Sequence, residues 1–65
     1  MVIVWVDVDG KRESAEISQD LYEILRDGAF LRNKPIHLYL YHAVKEYGSL
    51  TEDNIRAFLD KHWVI

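Results

Sequence analysis

The chain has 65 residues, a net charge of -3, an apolar fraction of 49% and no cysteine. These values fit one small globular domain over residues 1–65, and they exclude a disordered segment, a disulfide scaffold and a thiolate metal site. No apolar run approaches the roughly 20 residues of a membrane span, and no signal-peptide pattern opens the sequence. We therefore expect a cytoplasmic protein with no membrane partner.

Two strands are predicted at the start of the chain. Residues 2–9 alternate with a period of two, Asp9-Gly10 is a strong hairpin signal, and residues 11–17 return as a second strand. A two-residue turn pairs Val8 with Lys11 and continues to Val2 opposite Ile17. The predicted core face carries Val2, Val4, Val6, Ala15 and Ile17. The predicted outer face carries Ile3, Trp5, Asp7, Arg12, Ser14 and Glu16.

A first helix is predicted over about 19–27. Ser18 is suited to cap its first turn, and Gly28 is suited to end it in the left-handed conformation. Phe30 and Leu31, in the connection that follows, are expected to pack into the core. The predicted apolar stripe of this helix consists of Leu21, Ile24 and Leu25.

The segment 36–47 fits both a helical stripe and an alternating strand, although its length and the terminating Gly48 favour a helix. A last helix is capped by Ser49 or Thr51, and the apolar end of the chain is expected to pack, for instance as a short strand beside the hairpin. The fold class is therefore α+β: an N-terminal β-hairpin followed by three short helices (ββααα), with a short C-terminal strand left open. The predicted stripe of the last helix is Ile55, Phe58, Leu59 and His62 or Trp63.

Charge is unevenly distributed along the chain. Residues 1–27 hold seven acids and three bases, a net of -4, whereas residues 28–65 have a net of +1. Such a field repels nucleic acid and attracts basic surfaces, so a protein with a basic surface is the expected partner and direct nucleic-acid binding is not expected. The acids are either a solvated face or a docking surface. The candidate partner-binding acids are Asp7, Asp9, Glu13, Glu16, Asp20 and Glu23, with Asp27 in the same group.

Three aromatic residues are further candidates for partner binding. Trp5 lies on the predicted outer face of the hairpin, where it forms an exposed anchor unless the C-terminal residues 63–65 cover it. Tyr39 and Tyr41 lie beside the main helical stripe. Either they stack on a partner or they are buried in a helix that packs on two sides.

No catalytic, cofactor-binding or metal-binding residue is predicted. The run from Asp7 to Asp9-Gly10 resembles the first motif of haloacid-dehalogenase-type phosphatases, in which a hydrophobic strand ends in Asp-x-Asp-Gly-Thr. Lys11 stands where that family has threonine, and 65 residues are too few for its parallel sheet. The spacing of the histidines does not indicate a zinc site. The three histidines are His37, His42 and His62.

Two functional hypotheses follow. In size and acidity the chain resembles anti-CRISPR proteins, which implies a phage or mobile-element inhibitor: a non-enzymatic interaction module whose acidic half occludes a basic nucleic-acid-binding surface of a host complex. The alternative comes from residues 43–59, which resemble the first two helices of helix-turn-helix proteins through the turn Gly48-Ser49-Leu50-Thr51. That resemblance implies a small dimeric DNA-binding transcriptional regulator, although no third helix follows in the sequence. A homodimer is left open in either case.

Overall fold

The computed structural model of the protein describes residues 1–63. It has a two-stranded antiparallel sheet followed by three helices, which is the α+β order predicted. The expected C-terminal strand comprises residues 63–65; Trp63 lies in no strand, and residues 64 and 65 are outside the described residues. The elements are β1 (Val2–Val8), β2 (Lys11–Ile17), α1 (Gln19–Leu31), α2 (Ile36–Tyr47) and α3 (Glu52–His62).

The hairpin has the predicted register, from Val2 opposite Ile17 to Val8 opposite Lys11. Asp9 and Gly10 have φ of 52° and 83°, so both central residues of the turn take the positive φ that a two-residue hairpin of this twist requires. Side chains alternate between the faces of the sheet, and one face packs on the helices. Its buried residues are Val4, Val6, Val8 and Ile17, with Val2 and Ala15 packed against them.

Helix α1 is longer than predicted, because it continues through Gly28 to Leu31. The left-handed conformation that Gly28 was expected to take occurs instead at Asn33, with φ of 57°. Gly28 serves another purpose: a β-carbon there would lie under 3.0 Å from three atoms of the Trp63 ring. Close packing of the Trp63 ring on the helix therefore explains the glycine. In the sequence alone, the same glycine looks like a signal for the end of the helix.

The prediction that Phe30 and Leu31 pack in the core was wrong, as was the assignment of Ile24 to the buried stripe. Their exposed fractions are 82%, 80% and 52%. The reason is the helical period. α1 faces the core with Leu21, Leu25 and Ala29, spaced at four residues, so continuation of the helix turns positions 24, 30 and 31 away from the core.

Residues 36–47 form a helix, which settles the open choice between helix and strand. Pro35 lies at its N-cap position in an extended conformation, and Gly48 ends it with φ of 88°. Glycine suits this position because a β-carbon disfavours positive φ. The helix buries Leu40, Ala43 and Val44 against the hairpin and α3.

Helix α3 begins after Thr51, whose hydroxyl accepts the Asn54 amide at 3.1 Å. Thr51, and not Ser49, is therefore its cap. The helix buries the predicted Ile55, Phe58 and Leu59, while His62 is exposed and Trp63 half-buried.

Hydrogen bonds connect the first turns of α3 to Ser18 at the start of α1. The Ser18 amide donates to Glu52 Oε1 at 2.8 Å, and Arg56 Nη2 donates to Ser18 Oγ at 3.3 Å and to Glu52 Oε2 at 3.2 Å. Ser18 in turn caps α1 by accepting from the Leu21 amide at 3.1 Å. These bonds fix the direction in which α1 leaves the hairpin.

Within residues 1–63, no helix is both long enough and apolar enough to cross a bilayer. The cytoplasmic location expected from the sequence stays a prediction.

Candidate functional site

The candidate acids divide into two groups by their contacts. Three are paired with bases: Asp7 with Arg12 at 3.0 Å, Asp9 with Lys45 at 3.1 Å and Asp27 with Arg26 at 3.0 Å. The remaining four have no ion pair to a base among residues 1–63. We call these four the acidic segment: Glu13, Glu16, Asp20 and Glu23.

The acidic segment crosses the junction between β2 and α1. No lysine or arginine occurs from Glu13 to Leu25. Glu16, Asp20 and Glu23 are exposed and Glu13 is half-buried. Arg56 reaches this junction through its hydrogen bond to Ser18, and it also pairs with Glu52 at 3.2 Å. Glu13, opposite Val6, lies on the other face of β2 from Glu16, opposite Ile3. The junction therefore presents the carboxylates of Glu16, Asp20 and Glu23 to solvent, and none of the three is paired with a base among residues 1–63.

The phosphatase-like aspartates lie at the tip of the hairpin. The Arg12 guanidinium donates to Asp7, and this hydrogen bond holds the pKa of the Asp7 carboxyl below its ordinary value. Asp9 accepts from Lys45 of α2 and lies in the turn itself. Both side chains are well exposed, at 57% and 71%, so each carboxylate is solvated and paired with a base.

Trp5 lies between two side chains on the outside of the hairpin. The Arg12 guanidinium is 4.1 Å from the centre of its ring, and the His37 ring is 5.2 Å away. The tryptophan nevertheless remains 42% exposed. The alternative prediction has residues 63–65 cover Trp5. Trp63 packs instead against Gly28 and Tyr39, and residues 64 and 65 lie outside the described part of the chain.

Strand β1 and helix α2 run in the same direction along one another. Trp5 contacts His37 and Asp9 contacts Lys45. The four residues from Trp5 to Asp9 span about 13 Å in an extended chain, and the eight residues from His37 to Lys45 span about 12 Å in a helix. The two contacts are therefore separated by similar distances along the strand and along the helix. A shallow groove of about 220 Å³ lies beside Trp5, between β1 and the start of α2, and is also lined by Ile3 and Tyr22.

The structure does not bring Tyr39 and Tyr41 together. They are about 200° apart around α2. Tyr39 meets Trp63 edge-on, with ring centres 4.9 Å apart, whereas Tyr41 meets the neighbouring His42 at 5.6 Å. Both are half-buried against the core. Of the two, Tyr41 is on the helix face that includes His37 one turn earlier, and His37 contacts Trp5.

A second groove, of about 480 Å³, lies between α2 and α3. The Phe58 ring is flanked by the rings of His42, at 6.4 Å and nearly parallel, and of His62, at 4.3 Å. Glu46 at its border accepts from Lys61 at 3.2 Å. Desolvation raises the pKa of Glu46, but hydrogen bonds, first of all from Lys61, outweigh it, and the pKa lies below its ordinary value.

The charged groups of this second groove are already paired with one another or with the hairpin. Glu46 pairs with Lys61, and Lys45 pairs with Asp9. No group of three or more histidine, aspartate or glutamate side chains among residues 1–63 is placed to hold a metal ion. The groove is therefore an open, internally neutralised depression.

Sequence reasoning missed three exposed apolar residues on α1. They are Ile24, Phe30 and Leu31. The signal that could have found them is the spacing of Leu21, Leu25 and Ala29, which defines a narrow core stripe if the helix is allowed to pass through Gly28. Gly28 instead predicts the end of the helix, which places Phe30 and Leu31 in a loop.

No family model, no curated protein and no solved structure matches this chain.

Proposed function

We propose that this protein is a non-enzymatic interaction module whose acidic N-terminal half covers a basic, nucleic-acid-binding surface of another protein. It would act as an inhibitor by occlusion, in the manner of phage or mobile-element inhibitors. The observation that carries the proposal is the acidic segment: four carboxylates in eleven consecutive residues, Glu13–Glu23, with no base in that interval. Such a run can oppose lysines and arginines that otherwise hold phosphates.

The pairing of the other acids sharpens the proposal. Asp7, Asp9 and Asp27 already have a guanidinium or ammonium within 3.1 Å, so a partner gains less from them. Carboxylates without a base nearby gain most when a cationic surface approaches, and they also contribute long-range attraction that accelerates association. The proposed contact is thus centred on the junction of β2 and α1, with Trp5 beside it on the hairpin.

Association with such a partner must weaken as salt is raised. The test is retention of host proteins on the immobilised chain at about 0.05 M and about 0.5 M salt, between which the screening length falls roughly threefold. Retained proteins are identified, purified and assayed for DNA or RNA binding. We expect a nucleic-acid-binding protein that is released by high salt and displaced by its own nucleic acid.

A pair of matched variants separates local from general charge effects. Glu16→Gln with Asp20→Asn removes two charges from the acidic segment, and Asp53→Asn with Asp60→Asn removes two charges from α3. The first variant should lose affinity for the purified partner several-fold, and the second should retain it. Equal loss in both, or binding that does not depend on salt, contradicts the proposal.

The alternative function is a dimeric DNA-binding regulator that uses α2, the turn at Gly48 and α3. A mobility-shift assay with duplex DNA at low salt distinguishes the two functions. Retardation of the duplex by the free protein favours the regulator. Nucleic acid that binds only the partner, and competes with this chain for it, favours occlusion.

A further inference from the structure

The outer face of α1 combines charge with exposed apolar surface. Residues 20, 24, 27 and 31 repeat at a spacing of three or four, so they form one stripe along the helix. The first turns of this face carry Asp20 and Glu23, and the last turn carries Phe30 and Leu31, whose exposed fractions are 82% and 80%. Single exposed apolar residues are common, but neighbouring large ones on one helix face are typical of an interface.

Two guanidinium groups next to this face are engaged within the chain. Arg26 pairs with Asp27 at 3.0 Å. Arg32 donates to the Gly28 carbonyl at 3.0 Å and lies 4.3 Å from the centre of the Trp63 ring. The face therefore presents carboxylates at its start and apolar side chains at its end, with the two nearest guanidinium groups turned to intrachain partners.

This distribution of charge indicates the chemistry of the occupant. A second copy of the chain would bring the same carboxylates to the contact, whereas a basic surface would offer them counter-charges. We propose that α1 docks on a protein surface in which an apolar cleft is bordered by lysine or arginine. Phe30 and Leu31 enter the cleft, while Asp20 and Glu23 face the bases. This inference rests on the proposed function and adds an apolar anchor to it.

The test uses two dye-labelled helical peptides as probes and measures binding by fluorescence anisotropy. One peptide carries a leucine stripe flanked by lysines, and the other has alanine in place of each leucine at equal charge. The wild-type protein should bind the leucine peptide at least about 10-fold more tightly than the alanine peptide. The variant Phe30→Ser with Leu31→Ser should bind both peptides with the weaker affinity.

A matched control removes exposed apolar surface elsewhere. Tyr47→Ser changes an aromatic side chain that is 38% exposed at the end of α2, and this variant should keep the preference for the leucine peptide. Because Phe30 and Leu31 make little contact with the core, their substitution should leave the circular dichroism spectrum and the urea midpoint unchanged. Loss of the peptide preference without a change in the spectrum or in the urea midpoint would show that Phe30 and Leu31 serve binding and not folding.

The possible outcomes bear differently on the two proposals. Equal, salt-sensitive binding of both peptides overturns the apolar anchor and leaves the electrostatic function in place. Binding of neither peptide contradicts both. A concentration-dependent dimer in sedimentation, lost in the Phe30→Ser with Leu31→Ser variant, overturns the anchor in favour of contact between two copies of this chain.

Discussion

Replacing Gly28 by alanine has two opposing effects on the free energy of unfolding, and the sign of each is known. Gly28 lies inside α1, where alanine is favoured over glycine by about 1 kcal/mol through helix propensity alone. The new β-carbon, however, would lie under 3.0 Å from three atoms of the Trp63 ring. The backbone of a packed helix moves little, so the ring must leave its position.

The magnitude follows from what the ring contacts. Trp63 meets Tyr39 edge-on at 4.9 Å and lies 4.3 Å from the Arg32 guanidinium. Removing a well-buried aromatic side chain costs about 3–5 kcal/mol. Trp63 is half-buried, so its displacement should cost about 2 kcal/mol by the same scale. After the gain in helix propensity, Gly28→Ala should lower the free energy of unfolding by about 1 kcal/mol.

The assay is urea unfolding followed by far-ultraviolet circular dichroism for four proteins: wild type, Gly28→Ala, Trp63→Ala and the double variant. In the absence of the ring, the alanine has only its helical advantage, so Gly28→Ala should stabilise the Trp63→Ala protein by about 1 kcal/mol. The coupling energy of the cycle should therefore be about 2 kcal/mol. A stabilising Gly28→Ala in the wild type, or a coupling energy below about 0.5 kcal/mol, refutes the reasoning.

Two further predictions concern hydrogen-bonded carboxylates. Glu52→Gln should lower the free energy of unfolding in urea by about 1 kcal/mol, because the Ser18 backbone amide loses a charged acceptor. The control Asp60→Asn should change the free energy of unfolding by less than about 0.5 kcal/mol. Equal effects of the two substitutions would argue against a stabilising role of this hydrogen bond. Asp7 should titrate below the ordinary range in carbon-detected NMR and return towards it in Arg12→Gln, because the Arg12 hydrogen bond lowers its pKa. A depressed pKa in the folded state gives stability that is present above the unfolded-state pKa and lost as pH falls through the folded-state pKa. Loss of Arg12 should therefore reduce stability near neutral pH, with the difference disappearing in acid, and an unchanged Asp7 titration would contradict this account.

The candidate site was partly accessible from sequence. The excess of acids before residue 28 could be counted, and Trp5 could be placed on the outer face of the hairpin from the two-residue period. The counts did not reveal which acids have partners. Asp9 pairs with Lys45 across 36 positions of the chain, and no pattern within a few residues of Asp9 indicates this contact.

The sequence by itself determined the hairpin register, the caps at Ser18 and Gly48 and the order of the elements. Each depends on signals only a few residues long: alternation along a strand, a side-chain acceptor at a helix start, or glycine at positive φ. Only the tertiary structure decided that α1 continues through Gly28 to Leu31. The reason is that Trp63, a residue 35 positions beyond Gly28, packs on that glycine, and a contact between such distant residues exists only once the chain has folded.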